Sequence, residues 1–396
     1  MAKVSTDKAK IEELLTRGVV EVIEQDHLRK QLLAGKKLRV KFGIDPTSPH
    51  MHLGHTVPLL KLREFQDLGH QAVLIIGDAT AMIGDPSGRT ETRQKLTKEE
   101  VQKNKKTYLE QAAKVLDMEH VEVHHNGEWF FPMSAKDFLE LTSLVTVQQV
   151  LQREDFKKRV DDSEHPLSAI ELSYPIMQGY DSVQVKADVE VGGQDQLLNL
   201  LMGRRLQRKF DQPEQDVLTV ELIEGTDGVR KMSKSFGNAI ALESTPEEMY
   251  GQVMSIVDEM IVRYYKLLTS LPLKDIAKVK KQLTEGMNPR DAKMHLARVL
   301  ITHYYNDQAA QKAEEYFVNT FSKKETPSEM SEVKMAGKDI IAVLVETKLC
   351  KSNSDARRNI DGGGVKVNDK KVDSYELKVK SGDVVQKGKR HFVKIK

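Results

Sequence analysis

Leu38-Arg39-Val40-Lys41-Phe42-Gly43-Ile44, followed at once by Asp45-Pro46-Thr47-Ser48-Pro49-His50-Met51-His52-Leu53-Gly54-His55, is the stretch from which the fold can be read. The first seven residues have the apolar content of a strand. Pro46 and Pro49 lack a backbone donor and fix φ, so ladder pairing has to stop near Asp45. Helical spacing takes over near Gly54 and lasts to Leu68. Residues 72–77 (AVLIIG) are apolar throughout, as expected of a strand covered on both faces. Further strands are expected at 121–125 and 186–191, with helices at 97–116, 135–151, 167–183 and 195–210. Strands that alternate with helices imply an α/β fold with a parallel sheet and right-handed crossovers.

Upstream, residues 8–34 read as one or two amphipathic helices. Downstream, the pattern changes after Leu242. Residues 246–321 hold no convincing strand, Met294, Ala297, Val299 and Leu300 recur at helical spacing, and Pro246, Pro272 and Pro289 stand where helices start. The expected organisation is therefore an α/β domain over 1–242 and an α-helical domain over 243–321. A polar linker over 322–337 and a small α+β domain over 338–396 complete it.

Apolar residues make up 39% and charged residues 30% of the 396, an ordinary mixture for a water-exposed fold. No run of about 18 apolar residues is present, so no membrane-spanning helix is expected. The Lys- and Glu-rich start lacks the pattern of a secretory signal. Cys350 is the single cysteine, which excludes a disulfide framework and cysteine-built zinc sites and suits a cytoplasmic location. Residues 338–396 carry 15 Lys+Arg against 8 Asp+Glu, a net +7 that leaves −5 for residues 1–337. A basic tail on an acidic body suggests a polyanionic partner, although a solvated basic surface explains the charge equally well.

Three groups of residues carry chemistry. In the opening stretch, a helix N-terminus beyond a strand end favours phosphate. His52 and His55, three apart, can donate to its oxygens, and Gly54 lets a flat base approach the backbone. Metal ligation or simple capping by His50, His52 and His55 remain the alternatives. In the second group, Lys231-Met232-Ser233-Lys234-Ser235 lies between Asp227-Gly228 and Phe236-Gly237. Two lysines three apart in a glycine-flanked loop make a cationic clamp for a triphosphate, or else a solvated turn. The third group begins with Tyr174, Gln178 and Asp181, which share one helical face at i, i+4 and i+7. Gly192-Gly193-Gln194-Asp195-Gln196 and Gly84-Asp85-Pro86-Ser87-Gly88-Arg89 follow strands.

HLGH paired with KMSKS about 180 residues later resembles the signature of class I aminoacyl-tRNA synthetases. The YxxxQxxD, GGxDQ and GDPSG elements resemble the bacterial tyrosyl branch. The similarity is dense over 35–240, and the DARRNIDGGGVKVN run of the tail resembles an S4-type RNA-binding module. The resemblance implies a Rossmann-like catalytic domain, an anticodon-recognising helical domain and an S4-like domain. It implies L-tyrosine, ATP with Mg²⁺ and tRNA(Tyr) as partners, and a symmetric homodimer formed near residues 129–151. No tightly bound cofactor or resident metal is expected.

By the same resemblance, Asp181 accepts the phenol hydrogen bond, while Tyr174, Gln178 and Asp85 surround the ammonium group. Gln196 lies near the substrate carboxylate. Gly193 and Asp195 contact the ribose, and Asp45, Thr47 and Gly54 serve the nucleotide. His52 and His55 meet the phosphates. Lys231, Met232, Ser233 and Lys234 meet the pyrophosphate, with Arg89 and Arg93 adding charge. Arg357, Arg358, Lys366, Lys370 and Lys371 are the expected RNA contacts. One departure stands out: many bacterial tyrosyl enzymes carry a second phenol-contacting tyrosine where this chain has Lys41. Lys41 is thus expected to join the tyrosine pocket as counter-ion to Asp181, or else to face ATP or solvent. A tryptophanyl enzyme and a non-catalytic RNA-binding paralogue are the competing readings. Asp181, Tyr174 and the tail oppose the first, and the intact HLGH and KMSKS elements oppose the second.

Overall fold

In the computed structural model, β1 (Val19–Ile23), β2 (Arg39–Ile44), β3 (Gln71–Ile76), β4 (Val121–His125), β5 (Val189–Gly193) and β6 (Asp216–Val220) form one sheet. Their order is β1-β6-β5-β2-β3-β4. The structure describes residues 4–85, 97–322, 330–388 and 391–396. They fall into two compact units, Met1–Ala310 and Gln311–Lys396.

The chain leaves β2 for β3 and β4 on one side, then returns to β5 and β6 on the other. The winding direction therefore reverses between β2 and β5, and in such sheets ligands bind beyond the strands' carboxyl ends at that point. β3 is buried along Ala72–Ile76, as its unbroken apolar run requires. Pairing is parallel from β4 across to β6.

The edge departs from expectation, because β1 pairs antiparallel with β6. Residues 8–34 are two helices, Lys8–Thr16 and Gln25–Leu33, with a strand between them. Four of the five residues of Val19-Val20-Glu21-Val22-Ile23 are β-branched, which favours extended backbone. Gly18 and Glu24, both at φ 62, turn the chain at either end. β6 was likewise not anticipated, and β5 starts at Val189 after Lys186 ends the preceding helix in the left-handed region.

From Pro246 onward the first unit is helical, with Pro246–Met254, Ile261–Leu268, Leu273–Thr284 and Pro289–Tyr304 as its main helices. No break falls at 242: the residues expected as two domains share one compact unit to Ala310. Among the described residues no helix is long and apolar enough to cross a membrane.

The second unit holds β7 (Ser331–Val333), β8 (Val365–Val367), β9 (Lys370–Lys371), β10 (Val384–Lys387) and β11 (His391–Ile395), in the order β7-β11-β10-β8-β9. Asn368 and Asp369, at φ 50 and 64, make the two-residue hairpin turn between β8 and β9. Helices Ile340–Glu346 and Asn353–Asp361 supply Ile340, Val343, Leu344 and Ile360 to its core. The segment expected as a linker instead donates β7, which pairs parallel with β11.

One close approach fixes the helix that carries Tyr174 and Asp181. A Cβ at Gly179 would lie 2.9 Å from the Met202 carbonyl carbon of the neighbouring Leu197–Lys209 helix. Gly179→Ala is expected to force these helices apart at a cost of about 1–3 kcal/mol. Thermal unfolding should report a lower midpoint, and an unchanged midpoint would show that the helices can separate freely.

Candidate active site

The two signature motifs meet at the first turn of the Leu53–Asp67 helix. Leu53 N–H donates to Ile240 O (2.9 Å), Leu242 N–H donates to Met51 O (3.0 Å), and Gly54 N–H points at Met232 Sδ (3.2 Å). The chain just after the lysine loop is thus stitched to the histidine turn. The loop itself is braced by Asn238, whose Oδ1 accepts from Ser233 N–H (2.8 Å). Asn238 Nδ2 donates to Asp227 Oδ2 and Arg230 O, both at 3.1 Å. The Lys231 and Lys234 side chains stay exposed, and Lys231 Nζ lies 2.5 Å from Asp195 Oδ2.

His52 is buried, its N–H donates to His55 Nδ1 (3.1 Å), and the two ring centroids are 3.8 Å apart. Burial first, then the charges of Lys231 and Lys234, push its pKa down to about 4. It is therefore neutral at physiological pH and can donate one hydrogen bond without repelling the lysines. Its Nδ1 is buried with no hydrogen-bond partner among the described residues. A Cβ on Gly54 would sit 2.9 Å from that atom, so glycine keeps the imidazole in place.

At the other end a run of side chains crosses the carboxyl ends of three strands. Asp181, 3% exposed, accepts from Trp129 Nε1 (3.0 Å) and Asn126 Nδ2 (3.4 Å). Asn126 also donates to Thr80 Oγ1 (3.0 Å) and accepts from Ala79 N–H (2.9 Å). Thr80 donates to Asp45 Oδ1 (2.7 Å), and Asp45 Oδ2 accepts from the Tyr174 hydroxyl (2.8 Å). A second run joins Asp85 to Gln196 (2.8 Å), Gln196 to Asn199 (2.8 Å) and Asn199 to Gln178 (3.1 Å). Arg153 Nη1 donates to Asn199 Oδ1 (2.9 Å).

Burial raises the pKa of the Tyr174 phenol, with Asp45 and Asp85 the next largest causes. Asp181 is pushed up to about 7 by burial, against the opposing pull of Lys41, Trp129 and Asn126. Three acids gathered here suit a cationic group; two lysines and two histidines at the other end suit phosphate.

Most of the expected residues therefore converge. Asp45, Asp85, Tyr174, Gln178, Asp181 and Gln196 belong to the two runs, and His52, Gly54, His55, Lys231 and Met232 to the first turn. Thr47 caps the exit of β2, its N–H donating to Asp45 O (2.8 Å). Gly193 ends β5 beside Asp195. Lys41 faces neither solvent nor the Asp181 carboxylate directly. It is wholly buried and pairs with Glu190 (2.8 Å), which its register opposite Glu190 imposes. Arg89 and Arg93 lie outside the described residues.

Asn126, Trp129, Thr80 and Asn199 were missed. Asn126-Gly127 directly after a strand was the available signal for the first two. In the second unit Arg357, Arg358, Lys366, Lys370 and Lys371 are all exposed, and Arg357 lies over the Tyr375 ring, 5.6 Å from its centroid.

Residues 33–322 match the family described as tRNA synthetases class I (W and Y), and residues 320–395 match the tyrosine–tRNA ligase SYY-like C-terminal domain. The chain is 47% identical over 398 residues to the tyrosine–tRNA ligase of Carboxydothermus hydrogenoformans, covering 97% of each. It is 48% identical over 386 residues to that of Thermotoga maritima, covering 96% of each. In fold it resembles a C-terminally truncated mitochondrial tyrosyl-tRNA synthetase of Coccidioides posadasii, with TM-score 0.65 and 24% identity over 78% of this chain and 92% of that one. It also resembles the Archaeoglobus fulgidus tyrosyl-tRNA synthetase complexed with L-tyrosine, with TM-score 0.63 and 22% identity over 78% and 100%.

The depressed pKa of His52 has a consequence for stability. An unfolded histidine takes up its proton near pH 6.5, whereas this one holds off until about 4. Stability should therefore fall as pH drops through that window. His52→Gln should remove up to about 3 kcal/mol of that loss, read as a shallower pH dependence of urea unfolding. Identical dependence in both proteins would mean that His52 takes up its proton at the same pH folded and unfolded.

Proposed function

Since the chain belongs to the class I tRNA synthetases (W and Y), we infer that it is a tyrosine–tRNA ligase, with tyrosine, ATP and tRNA as substrates. We propose the following division of labour. Asp181 accepts the phenol hydroxyl; Tyr174, Gln178 and Asp85 surround the ammonium group; Gln196 lies by the carboxylate. Gly193 and Asp195 take the ribose, with Asp45, Thr47 and Gly54 on the nucleotide side. His52, His55, Lys231 and Lys234 take the phosphates, Ser233 and Met232 shaping their loop, and Arg89 adds charge.

The single observation that carries this reading is the hydrogen-bonded run from Asp181 through Asn126, Thr80 and Asp45 to Tyr174. It links a buried acid to Asp45 at the exit of β2, seven residues before His52.

The tyrosine carboxylate is already a nucleophile, so the site needs alignment and charge stabilisation rather than a strong base. An oxygen of that carboxylate bonds to the α-phosphorus of ATP while the bond to pyrophosphate breaks. Neutral imidazole donors and the two ammonium groups meet the charge that develops on the phosphates. A terminal ribose hydroxyl of tRNA then attacks the tyrosyl carbonyl, and AMP leaves. Mg²⁺ travels with the ATP phosphates.

Phenylalanine would leave Asp181 buried without its partner, a basis for rejection of which tyrosyl enzymes are themselves the standard example. The helical segment and the exposed cations Arg357, Arg358, Lys366, Lys370 and Lys371 are proposed to bind tRNA(Tyr) by shape and charge. A symmetric homodimer is proposed on the helices near residues 129–151, which expose Phe131, Leu139 and Val147 by 52%, 68% and 57%.

Pyrophosphate exchange with a panel of amino acids tests the reading. Tyrosine should support exchange, and stronger support by tryptophan would overturn it. Asp181→Ala should lower exchange with tyrosine by about 10- to 100-fold, or abolish its preference over phenylalanine. An unaltered preference would remove Asp181 from the site. Deleting residues 338–396 should weaken tRNA charging and spare exchange; equal loss of both would contradict the division between the units.

A further inference from the structure

We propose, resting on the role given to Asp181 above, that Lys41 is a positioning residue for tyrosine selection. Its ammonium, anchored by Glu190, places a positive charge behind Asp181 and fixes the helical turn carrying Gln178 and Asp181.

Lys41 sits mid-strand in β2, opposite Val73 of β3 and Glu190 of β5, with no exposed surface. Its ammonium has three donors and three oxygens within reach: Glu190 Oε1 (2.8 Å), Ser182 Oγ (2.9 Å) and Gln178 O (2.9 Å). Glu190, 1% exposed, also accepts at Oε2 from Ser182 Oγ (2.9 Å) and from Gln215 Nε2. Gly203 leaves room for this cluster, since a Cβ there would lie 2.5 Å from Gln215 Nε2 and 2.9 Å from Ser182 Oγ.

A buried ion pair is rarely more stable than apolar side chains of the same volume. What Lys41 adds is a fixed positive charge behind the pocket, one residue from the acid through Ser182 and one turn from it through the Gln178 carbonyl.

Five groups bear on Asp181: Lys41 from β2, Glu190 from β5, Tyr174 from its own helix, and the neutral donors Asn126 and Trp129 beyond β4. Among the causes opposing burial Lys41 is the largest, while Glu190 acts the other way. With Lys41 uncharged the acid would hold its proton at neutral pH and would offer the phenol a donor where an acceptor is needed.

Trp129 is the chain's sole tryptophan and is bonded to Asp181, so its emission reports that acid's titration. His124 lies 6.0 Å away, centroid to centroid, and Asp181→Asn supplies the baseline that contains only its contribution. In the full-length protein the Asp181 midpoint should lie near 7 in the wild type. It should rise by about one pH unit in Lys41→Met, stay near the wild-type value in Lys41→Arg, and fall in Glu190→Gln. The acid limb of kcat/KM for tyrosine in pyrophosphate exchange should follow the same order, with KM for ATP unmoved.

A folded Lys41→Met protein with the wild-type midpoint and tyrosine KM would overturn the proposal. Should Lys41→Met not fold, Glu190→Gln decides: a downward midpoint supports the role and an unmoved or raised one refutes it. Absence of tyrosine-dependent exchange in the wild type would instead overturn the function, and the indole titration would still settle Lys41.

Discussion

Burying a carboxylate among apolar strands costs on the order of several kcal/mol unless donors meet it, and the site is organised around meeting that cost for Asp181. The donors come from parts of the chain that have no other reason to touch. Trp129 and Asn126, beyond β4, donate to Asp181, and Asn126 donates on to Thr80 beyond β3, which donates to Asp45 beyond β2. Because each side chain is shared between two partners, the exits of three strands are fixed relative to one another by one polar run. Gly77 makes the closest of these approaches possible, as a Cβ there would come within 2.0 Å of Asp45 Oδ1 and 2.3 Å of Thr80 Oγ1.

The same run separates the crevice into ends of opposite sign. Asp45, Asp85 and Asp181 gather near Tyr174 at one end, while His52, His55, Lys231 and Lys234 gather at the other. The balance between them is visible in the protein's own contacts. Asp195 already pairs with Lys231, and burial, helped by the two lysines, holds His52 neutral. The frame of the lysine loop is rigidly hydrogen-bonded through Asn238 and Asp227, yet the ammonium heads remain in water. That arrangement lets the heads follow a charge that grows during reaction without refolding the loop.

Much of this was legible because it depends on periodicity. A helix fixes which side i, i+4 and i+7 face, so Tyr174, Gln178 and Asp181 could be grouped without knowing what lay opposite. An unbroken apolar run is informative in the same way, as with β3. What could not be read depends on register between distant segments. Lys41 was expected beside Asp181, ATP or solvent, and only the register of the neighbouring strand shows that Glu190 is its partner. Trp129 and Asn126 are supplied by a turn whose reach no spacing encodes. β1 was hidden because the two short helices flanking it lend their amphipathic pattern to the whole of 8–34.

The helical segment after Pro246 shows how little a change of sequence character says about mechanical independence. The Tyr304 hydroxyl donates to Thr56 Oγ1 (3.0 Å), and Thr56 donates to Leu53 O (2.8 Å), inside the first turn of the helix that His52 introduces. Tyr305 donates to Ser244 O on the segment stitched to that turn, and Arg263 donates to Leu222 O (2.8 Å) beyond β6. These bonds tie the helical segment to the His52 turn and to the exit of β6. A helix N-terminus binds anions well only if its free N–H groups keep their direction while charge accumulates in front of them. The strand exits hold the His52 turn from one side and the tyrosines of the helical segment from the other, so the segment expected to meet RNA also braces the first turn of that helix.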